Sequence, residues 1–226
     1  LAQAANLADA ARDAQVSHLI WSTLEDTRRW VPIDDERIPT LMGRYKVPHF
    51  DSKGQANVLF AESGVPTTLL HTSFYWENLL RGMGLQRSPA GELVLLLPMG
   101  DRPLPGIAVD EIGACALALF TRGERAIGGR SVGVAGGHPT GAQMAQSLSR
   151  ALGEPVRHRS MPFGEYARLG FPGSADIANM FQFKHDFNEA YCAARPVDAT
   201  RTLHPGLLDF DSWLAAHRDE LVAAID

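Results

Sequence analysis

The clearest indication of the fold is the stretch HFDSKGQANVLFAES at residues 49–63, which is followed by Gly64 and by VPTTLLHT at residues 65–72. The spacing of apolar residues in its first part predicts a helix that ends where Gly64 can adopt left-handed backbone. VPTTLLHT is a short apolar run and predicts a buried strand. An amphipathic helix over residues 1–14 and the run SHLIWST at 17–23 show the same order upstream. Alternating helices and buried strands predict an α/β fold, a doubly wound parallel sheet with helices on both faces.

The pattern changes after the apolar run LVLLL at residues 93–97. A proline-rich stretch leads into a helix that we expect to begin with Asp110 as its N-cap. Further strands are predicted within residues 130–136 and 154–160, and further helices within residues 140–152, 174–194 and 209–225. This change predicts a larger sheet domain over residues 1–130 and a smaller α/β lobe with C-terminal helices over residues 131–226. The pattern leaves open whether the two interleave.

Composition and charge argue against two classes of protein. The 226 residues are 45% hydrophobic and 21% charged, with a net charge of −5, as in an ordinary folded domain. Basic residues are scattered, and the densest clusters, at 28–30 and 156–159, are too small to predict direct nucleic-acid binding. The longest apolar runs, at 93–97 and 114–120, are far shorter than the roughly 18 residues of a membrane span. We expect neither a nucleic-acid-binding nor a membrane protein.

Cysteine and histidine spacing narrows the chemistry further. Cys115 and Cys192 lack the spacing of a metal-binding or redox pair, and unpaired thiols suit a reducing compartment, so we expect a cytoplasmic protein. None of the eight histidines belongs to an HExxH motif, and no metal site is predicted. The sequence holds no GxSxG pentapeptide, which argues against a serine hydrolase.

A glycine-rich turn, GGHPTG at residues 136–141, follows one predicted strand and opens a helix. Such turns can bind phosphate at a helix N-terminus, but the spacing fits neither GxGxxG nor GK[ST]. We therefore favour helix capping by Thr140 over phosphate binding.

Three segments carry residue types that fit one ligand site. Ser22 closes the first strand, His49 and Lys53 are four residues apart on the following helix, and HTSFYWENLL follows the second strand. Residues i and i+4 share a helix face, so both side chains are predicted to face the carboxyl ends of the strands, where open α/β sheets bind ligands. The alternative is a surface histidine and lysine beside an ordinary strand-end serine.

Longer motifs occur in an order and spacing similar to one known family. They are WSTLEDTRRWVP (21–32), YKVPHFDSKG (45–54), GVPTTLLHTSFYWENLL (64–80), LPMGDRPLPGIAVDEIG (97–113) and LGFPGSADIANMFQF (169–183). Together they resemble the NmrA-like family, atypical relatives of the short-chain dehydrogenases/reductases. The resemblance implies a Rossmann-like fold, with residues 1–130 as an N-terminally incomplete NAD(P)-binding domain, and NADP or NAD as the cofactor.

The resemblance also implies roles for individual residues. The relatives' catalytic apparatus is a strand-end serine, here Ser22, with Tyr-x-x-x-Lys on the next helix; here His49 occupies the tyrosine position and Lys53 is retained. Lys53 is expected to hold the nicotinamide ribose. Without the phenol a proton relay through tyrosine is lost, although His49 could act as an acid.

The nicotinamide half of the cofactor is expected, by the same resemblance, to contact the segment that follows the second strand. Its residues are Phe74, Tyr75, Trp76, Glu77 and Asn78. At least one of these aromatic residues is expected to belong to the core. The first three, together with residues around 171–180, are predicted to line one crevice between sheet and lobe.

The family opens with a strand, a glycine-rich turn and basic residues that distinguish NADP from NAD. The sequence begins after the positions of these features. We therefore expect them in an upstream segment that is on the order of 75 residues long. Two functions compete: a cofactor-ratio sensor with a regulatory protein partner, favoured by His49, and an NAD(P)H-dependent reductase of quinones or related carbonyl compounds. A third hypothesis is an interaction module whose helical C-terminal part docks a protein.

Overall fold

The computed structural model describes residues 1–225, apart from the side chains at 125 and 126, and arranges their strands in three sheets. The strands are β1 (Leu19–Thr23), β2 (Thr67–His71), β3 (Phe74–Tyr75), β4 (Leu85–Arg87), β5 (Leu93–Leu96), β6 (Gly106–Ile107), β7 (Ser131–Gly133) and β8 (Val156–Arg159). The helices are α1 (Ala2–Asp13), α2 (Pro48–Glu62), α3 (Val109–Arg122), α4 (Glu124–Ile127), α5 (Gly141–Leu152), α6 (Phe163–Ala167), α7 (Ser174–Asp186), α8 (Asn188–Ala193), α9 (Val197–Leu203), α10 (Phe210–Ala216) and α11 (Arg218–Ile225). Two 3-10 helices span Thr27–Arg29 and Trp76–Arg81.

The first sheet has the strand order β1-β2-β7, and all of its strands run parallel. β1 and β2 pair from Leu19 opposite Thr67 to Thr23 opposite His71, with α2 as the crossover between them. Parallel neighbours require such a crossover, so a helical segment between two apolar runs leads to this arrangement. The predicted Rossmann-like α/β fold is confirmed.

Helices cover both faces of this sheet. On one face Leu19 and Trp21 of β1 pack against α1 and α2, with Phe60 at the centre of the contact. On the other face Ile20 of β1 packs into the cluster that contains Leu119 of α3. Alternate residues of one strand therefore face different helices, as the two-residue period of a strand requires.

The other two sheets are built mainly from the segment between β2 and α3. β3 pairs with β6, and β5 pairs with both β4 and β8. β7 lies beyond residue 130 but belongs to the first sheet, whereas β4 and β5 precede residue 130 but share a sheet with β8. The division into a domain over 1–130 and a lobe over 131–226 therefore remains a proposal. If the chain is divided in this way, each segment contributes strands to a sheet of the other.

Helix starts agree with the sequence at one site and differ at another. Thr140 and Gln143 form a reciprocal capping box at the start of α5, which confirms Thr140 as a cap. The prediction that Asp110 is an N-cap is wrong, because α3 begins at Val109 and Asp110 lies in its first turn. The Val109 N–H instead donates to Oε1 of Glu77 at 2.9 Å, so a distant carboxylate caps the helix. No helix within residues 1–225 is both long enough and apolar enough to span a membrane.

Candidate functional site

A cavity of about 300 Å³ lies where β1 and β2 end, between α2, the segment after β2 and α7. Five of the predicted site residues line it: His49, Lys53, Phe74, Tyr75 and Asn78. The rest of its wall is mainly apolar and includes Leu24, Phe50, Met83, Ile177 and Met180. The predicted proximity of residues 171–180 to the segment after β2 is therefore confirmed.

A buried carboxylate fixes the start of α2 and thus the position of His49 and Lys53. Pro48 occupies the first turn of the helix, where its fixed φ suits the backbone. Asp51 is fully buried and accepts hydrogen bonds from the Thr27 N–H (2.7 Å) and hydroxyl (2.6 Å), and from the N–H groups of Lys46 (2.7 Å) and Val47 (3.1 Å). The loop that links β1 to α2 is thereby tied to the helix at both of its ends.

Lys53 reaches the end of β1. Its Nζ donates to the backbone carbonyl of Ser22 at 2.8 Å and lies 5.1 Å from the centre of the Trp21 ring. Burial lowers the pKa of Lys53. Gly54 allows α2 to lie close to the chain that follows β1, because a Cβ there would lie 2.5 Å from the Asp26 backbone nitrogen. Lys53 and Ser22 are thus brought together, but through the serine carbonyl, and the serine is not part of the cavity wall.

His49 contacts a carboxylate that sequence analysis did not identify. Its Nδ1 lies 2.7 Å from Oδ2 of Asp176, in the first turn of α7, and its side chain is 37% exposed. The imidazole also meets Phe50 edge-on, with ring centres 4.9 Å apart. No local pattern connects Asp176 to His49, which is 127 residues earlier in the chain, so this pairing depends on the tertiary fold.

The segment after β2 divides between the cavity and the core. Phe74 is 3% exposed, and the Tyr75 hydroxyl is hydrogen-bonded to Thr72 Oγ1 at 3.1 Å. The side-chain amide of Asn78 makes no hydrogen bond within residues 1–225. These three residues therefore offer an aromatic wall and one free amide to the cavity.

Trp76 and Glu77 do not line this cavity. Trp76 is completely buried, with its ring centre 5.4 Å from that of Phe210 and 5.9 Å from that of Trp213, so it is the core aromatic residue that the sequence led us to expect. Glu77 caps α3 and also accepts a hydrogen bond from Trp213 Nε1 at 3.2 Å. Both residues connect the segment after β2 to the C-terminal helices.

Lys184 and Ser73 line the cavity but were not singled out from the sequence. Lys184 is 2% exposed and is surrounded by aromatic rings, and burial lowers its pKa to about 7. Ser73 is 7% exposed, and its Oγ has no hydrogen-bond partner within the described residues. A lysine three positions after Phe181, on the buried face of an apolar helix, was the only sequence signal for this part of the site.

An ion pair lies behind the cavity. The guanidinium of Arg195 is completely buried and donates to both carboxylate oxygens of Glu25, at 2.7 and 2.9 Å. Burial alone would raise the pKa of Glu25, but the charge and hydrogen bonds of Arg195 hold it below its usual value. Arg195 Nε also donates to the Thr72 carbonyl at 2.8 Å, which fixes the beginning of the segment after β2. A second cavity of about 350 Å³ borders this ion pair and includes none of the predicted site residues.

A parallel sheet covered by helices on both faces, with a cavity at the carboxyl ends of its strands, is the arrangement of a Rossmann-like α/β protein. The model of the NmrA-like family matches residues 1–214. The chain belongs to the NmrA-like family.

Solved structures support the same fold at low sequence identity. A structure of NmrA, a negative transcriptional regulator, in complex with NAD is 20% identical, with a TM-score of 0.77 over 100% of this chain and 72% of that chain. Triphenylmethane reductase from Citrobacter sp., complexed with NADP(H), is 19% identical, with a TM-score of 0.68 over 96% and 70%. An NADPH-dependent quinone oxidoreductase from Escherichia coli is 20% identical, with a TM-score of 0.67 over 98% and 74%.

Proposed function

We propose that the protein binds NADP or NAD at the cavity beside α2 and acts as a sensor of the cofactor's redox state, with a regulatory role. Membership of the NmrA-like family supports cofactor binding, as do related structures that contain NAD or NADP. The regulatory role is supported by the similarity to NmrA, a negative transcriptional regulator.

The residues present fit the nicotinamide end of such a cofactor. Lys53 uses one ammonium hydrogen on the Ser22 carbonyl, which leaves others for the ribose hydroxyls. The free amide of Asn78 can bond the carboxamide, and Phe74 and Tyr75 supply flat surfaces for the ring. Trp76 and Glu77, which the family resemblance also assigned to the cofactor, act in this proposal by supporting that segment from the core.

The observation that carries the sensor proposal is the composition of the α2 face. Lys53 retains the position and the strand-end contact of a cofactor-binding lysine, whereas the position of the proton-donating tyrosine holds His49. A protein with the binding lysine and without the phenol keeps cofactor affinity and loses the usual acid.

A regulatory partner and a cytoplasmic location complete the proposal. A ratio sensor acts by changing its affinity for another protein, so we propose a protein partner and no direct nucleic-acid contact. Cys115 and Cys192 are both free thiols, which suits the reducing cytoplasm.

A reductase of quinones or related carbonyl compounds is the second candidate, and one contact favours it. His49 Nδ1 lies 2.7 Å from Oδ2 of Asp176, so a carboxylate lies beside the imidazole at the cavity wall. The bound cofactor would supply the hydride. His49 would then hold the proton at Nε2 for the substrate oxygen, and the backbone carbonyl of Ser22 would hold the Lys53 side chain in position.

Separate calorimetric titrations of NADP⁺ and NADPH, with and without a quinone, distinguish the two functions. We expect Lys53→Ala to weaken cofactor binding by about 1.5–3 kcal/mol, or tenfold and more, because a hydrogen bond from a charged group is lost. Ser52→Ala, on the same helix but outside the cavity wall, is the matched control. Different affinities for the two redox forms without turnover support the sensor. Steady NADPH consumption that His49→Ala abolishes, with affinity retained, supports the reductase and contradicts the sensor.

A further inference from the structure

The wall of the cavity beside α2 is electrostatically one-sided. Three basic residues line it, His49, Lys53 and Lys184, and none of the lining residues is acidic. The chain as a whole carries a net charge of −5, so this balance is local and not a consequence of composition. A concave, mainly apolar surface that contains basic side chains and no carboxylate attracts anions.

Two of these basic residues already have partners in the protein. Lys53 donates to the Ser22 carbonyl, and His49 contacts the Asp176 carboxylate. The Lys184 amine has no oxygen acceptor within residues 1–225. It lies instead over aromatic rings, 5.6 Å from the centre of Phe50 and 5.8 Å from that of Phe74. A buried amine without an acceptor is costly, and an anionic ligand would remove that cost.

Ser73 provides a second and independent observation. Its residue is more than nine-tenths buried, it lines the same cavity, and its Oγ has no hydrogen-bond partner within the described residues. Both Ser73 and Lys184 adjoin Phe74, the first along the chain and the second through space. The wall of one mainly apolar cavity therefore contains both an unpaired hydroxyl and an unpaired amine.

We propose that Lys184 and Ser73 form an anion-binding subsite for the carboxylate of an aromatic acid, whose ring lies among the apolar side chains of the cavity. A carboxylate offers acceptor oxygens to both unpaired donors, and a volume of about 300 Å³ suits a molecule of one or two rings. The subsite rests on the proposed function only in that its ligand would lie next to the nicotinamide.

Binding of a carboxylate at Lys184 would be coupled to protonation. The titratable and charged groups around the amine are Arg195, Glu25 and Tyr191 behind it, and His49, Lys53 and Tyr75 on the cavity wall. Burial and the charge of Arg195 lower the pKa of Lys184 to about 7, so at pH 8.5 the amine is mostly neutral before a ligand binds. The carboxylate favours the ammonium form, and about one proton should be taken up for each ligand bound.

The test is titration calorimetry of the intact protein at pH 8.5, with 2-naphthoate as probe and 2-naphthamide as its neutral counterpart. We expect 2-naphthoate to bind at least about tenfold more tightly than the amide, and to show proton uptake when two buffers of different ionisation enthalpy are compared. Lys184→Met should remove both the preference and the uptake, and Ser73→Ala should weaken 2-naphthoate several-fold. Arg168→Met, which replaces an exposed basic side chain by the same apolar one, should alter neither.

Three results would overturn the subsite. They are equal affinity for the acid and the amide, an absence of proton uptake in the unmodified protein, and competition between 2-naphthoate and the cofactor, which would assign the amine to a cofactor phosphate. The first two need no variant, so a fold defect in Lys184→Met cannot obscure them. Cofactor affinity is measured in the same preparation, so a failure of cofactor binding with retained 2-naphthoate binding overturns the proposed function alone.

Discussion

Lys46 and Lys184 are both almost completely buried, at 1% and 2% exposure, but their surroundings differ. Lys46 Nζ donates to the carbonyls of Asp35 (2.5 Å) and Ile38 (2.8 Å) and to Thr40 Oγ1 (2.9 Å). Lys184 Nζ lies among aromatic rings, 5.5 Å from the centre of Tyr191 and without a hydrogen-bond acceptor in the described chain. An ammonium group has three hydrogens to donate, so the first lysine is satisfied and the second is not.

Burial alone therefore does not show which role a charged residue has. In the Lys46 region, the long loop between β1 and α2 is closed around one buried amine and tied to α2 through Asp51. In the Lys184 region the free-energy cost of burying an amine without an acceptor is not offset by the fold. Buried polar groups without a partner are found mostly at sites that bind a ligand.

The largest expected effect is on the Lys46 side, at Asp51. Asp51→Ala removes the acceptor of four hydrogen bonds, and at about 1 kcal/mol each we expect the free energy of unfolding to fall by about 4 kcal/mol. Urea denaturation measures the change. Asp13→Ala, at a 73% exposed carboxylate, is the control and should change little. A loss below 1 kcal/mol would mean that the loop is held by other contacts.

Lys184→Met should change the pH dependence of stability. The folded-state pKa of Lys184 is about 7 and its usual value is 10.5, so between these values the unfolded chain binds a proton that the folded chain does not. The stability of the unmodified protein should therefore rise with pH across this window, by roughly 1.4 kcal/mol per pH unit from this group alone, and the penalty should be complete below pH 7.

Urea denaturation at pH 7 and pH 9 measures this dependence. The methionine variant should be the more stable protein at pH 7, and its advantage should be smaller by about 2 kcal/mol at pH 9, because the folded-state amine is already half titrated at pH 7. Arg168→Met, which replaces an exposed basic side chain by the same apolar one, should leave the slope unchanged. An equal slope in the unmodified protein and in Lys184→Met would show that the amine is already satisfied.

Local periodicity was sufficient for the fold and for one face of the site. The helix over 49–63 and the strands on either side of it follow from apolar spacing, and residues four apart on a helix share a face, so the convergence of His49 and Lys53 was predictable. Ser22 was predictable as a strand-end residue, but only the structure shows that its carbonyl, and not its hydroxyl, meets Lys53.

The remainder depends on contacts between distant segments. Trp76 belongs to the core because Phe210 and Trp213 pack against it, more than 130 residues later in the chain. Glu77 caps α3 in place of Asp110 for a similar reason. Only the packing of α7 beside the segment after β2 brings Lys184 and Ser73 into one cavity wall and Asp176 next to His49. None of these contacts leaves a periodic trace in the sequence.

Lys46→Met should have the opposite sign to Lys184→Met at pH 7. The substitution leaves two carbonyls and a hydroxyl without their donor, and we expect the free energy of unfolding to fall by about 2 kcal/mol. The two variants make the same chemical change at two nearly equally buried positions, so each is the control for the other. If both destabilise the protein to a similar extent, the contrast between the two lysines is wrong.

The smallest expected effect comes from one hydroxyl group in each region, Thr40 beside Lys46 and Ser73 in the cavity wall that Lys184 also lines. Thr40 Oγ1 donates to the Ile33 carbonyl at 2.8 Å and accepts from Lys46, so Thr40→Val should destabilise the protein by about 1 kcal/mol. Ser73→Ala removes a buried hydroxyl that has no partner in the described chain, and stability should stay within about 0.5 kcal/mol or rise slightly, because no hydrogen bond is lost and one desolvated group is removed. Thermal and urea unfolding of both variants measure the pair. A loss of 1 kcal/mol or more in Ser73→Ala would show that this hydroxyl is bonded in solution, for example to ordered water, and would reduce the difference between the two regions to the lysines themselves.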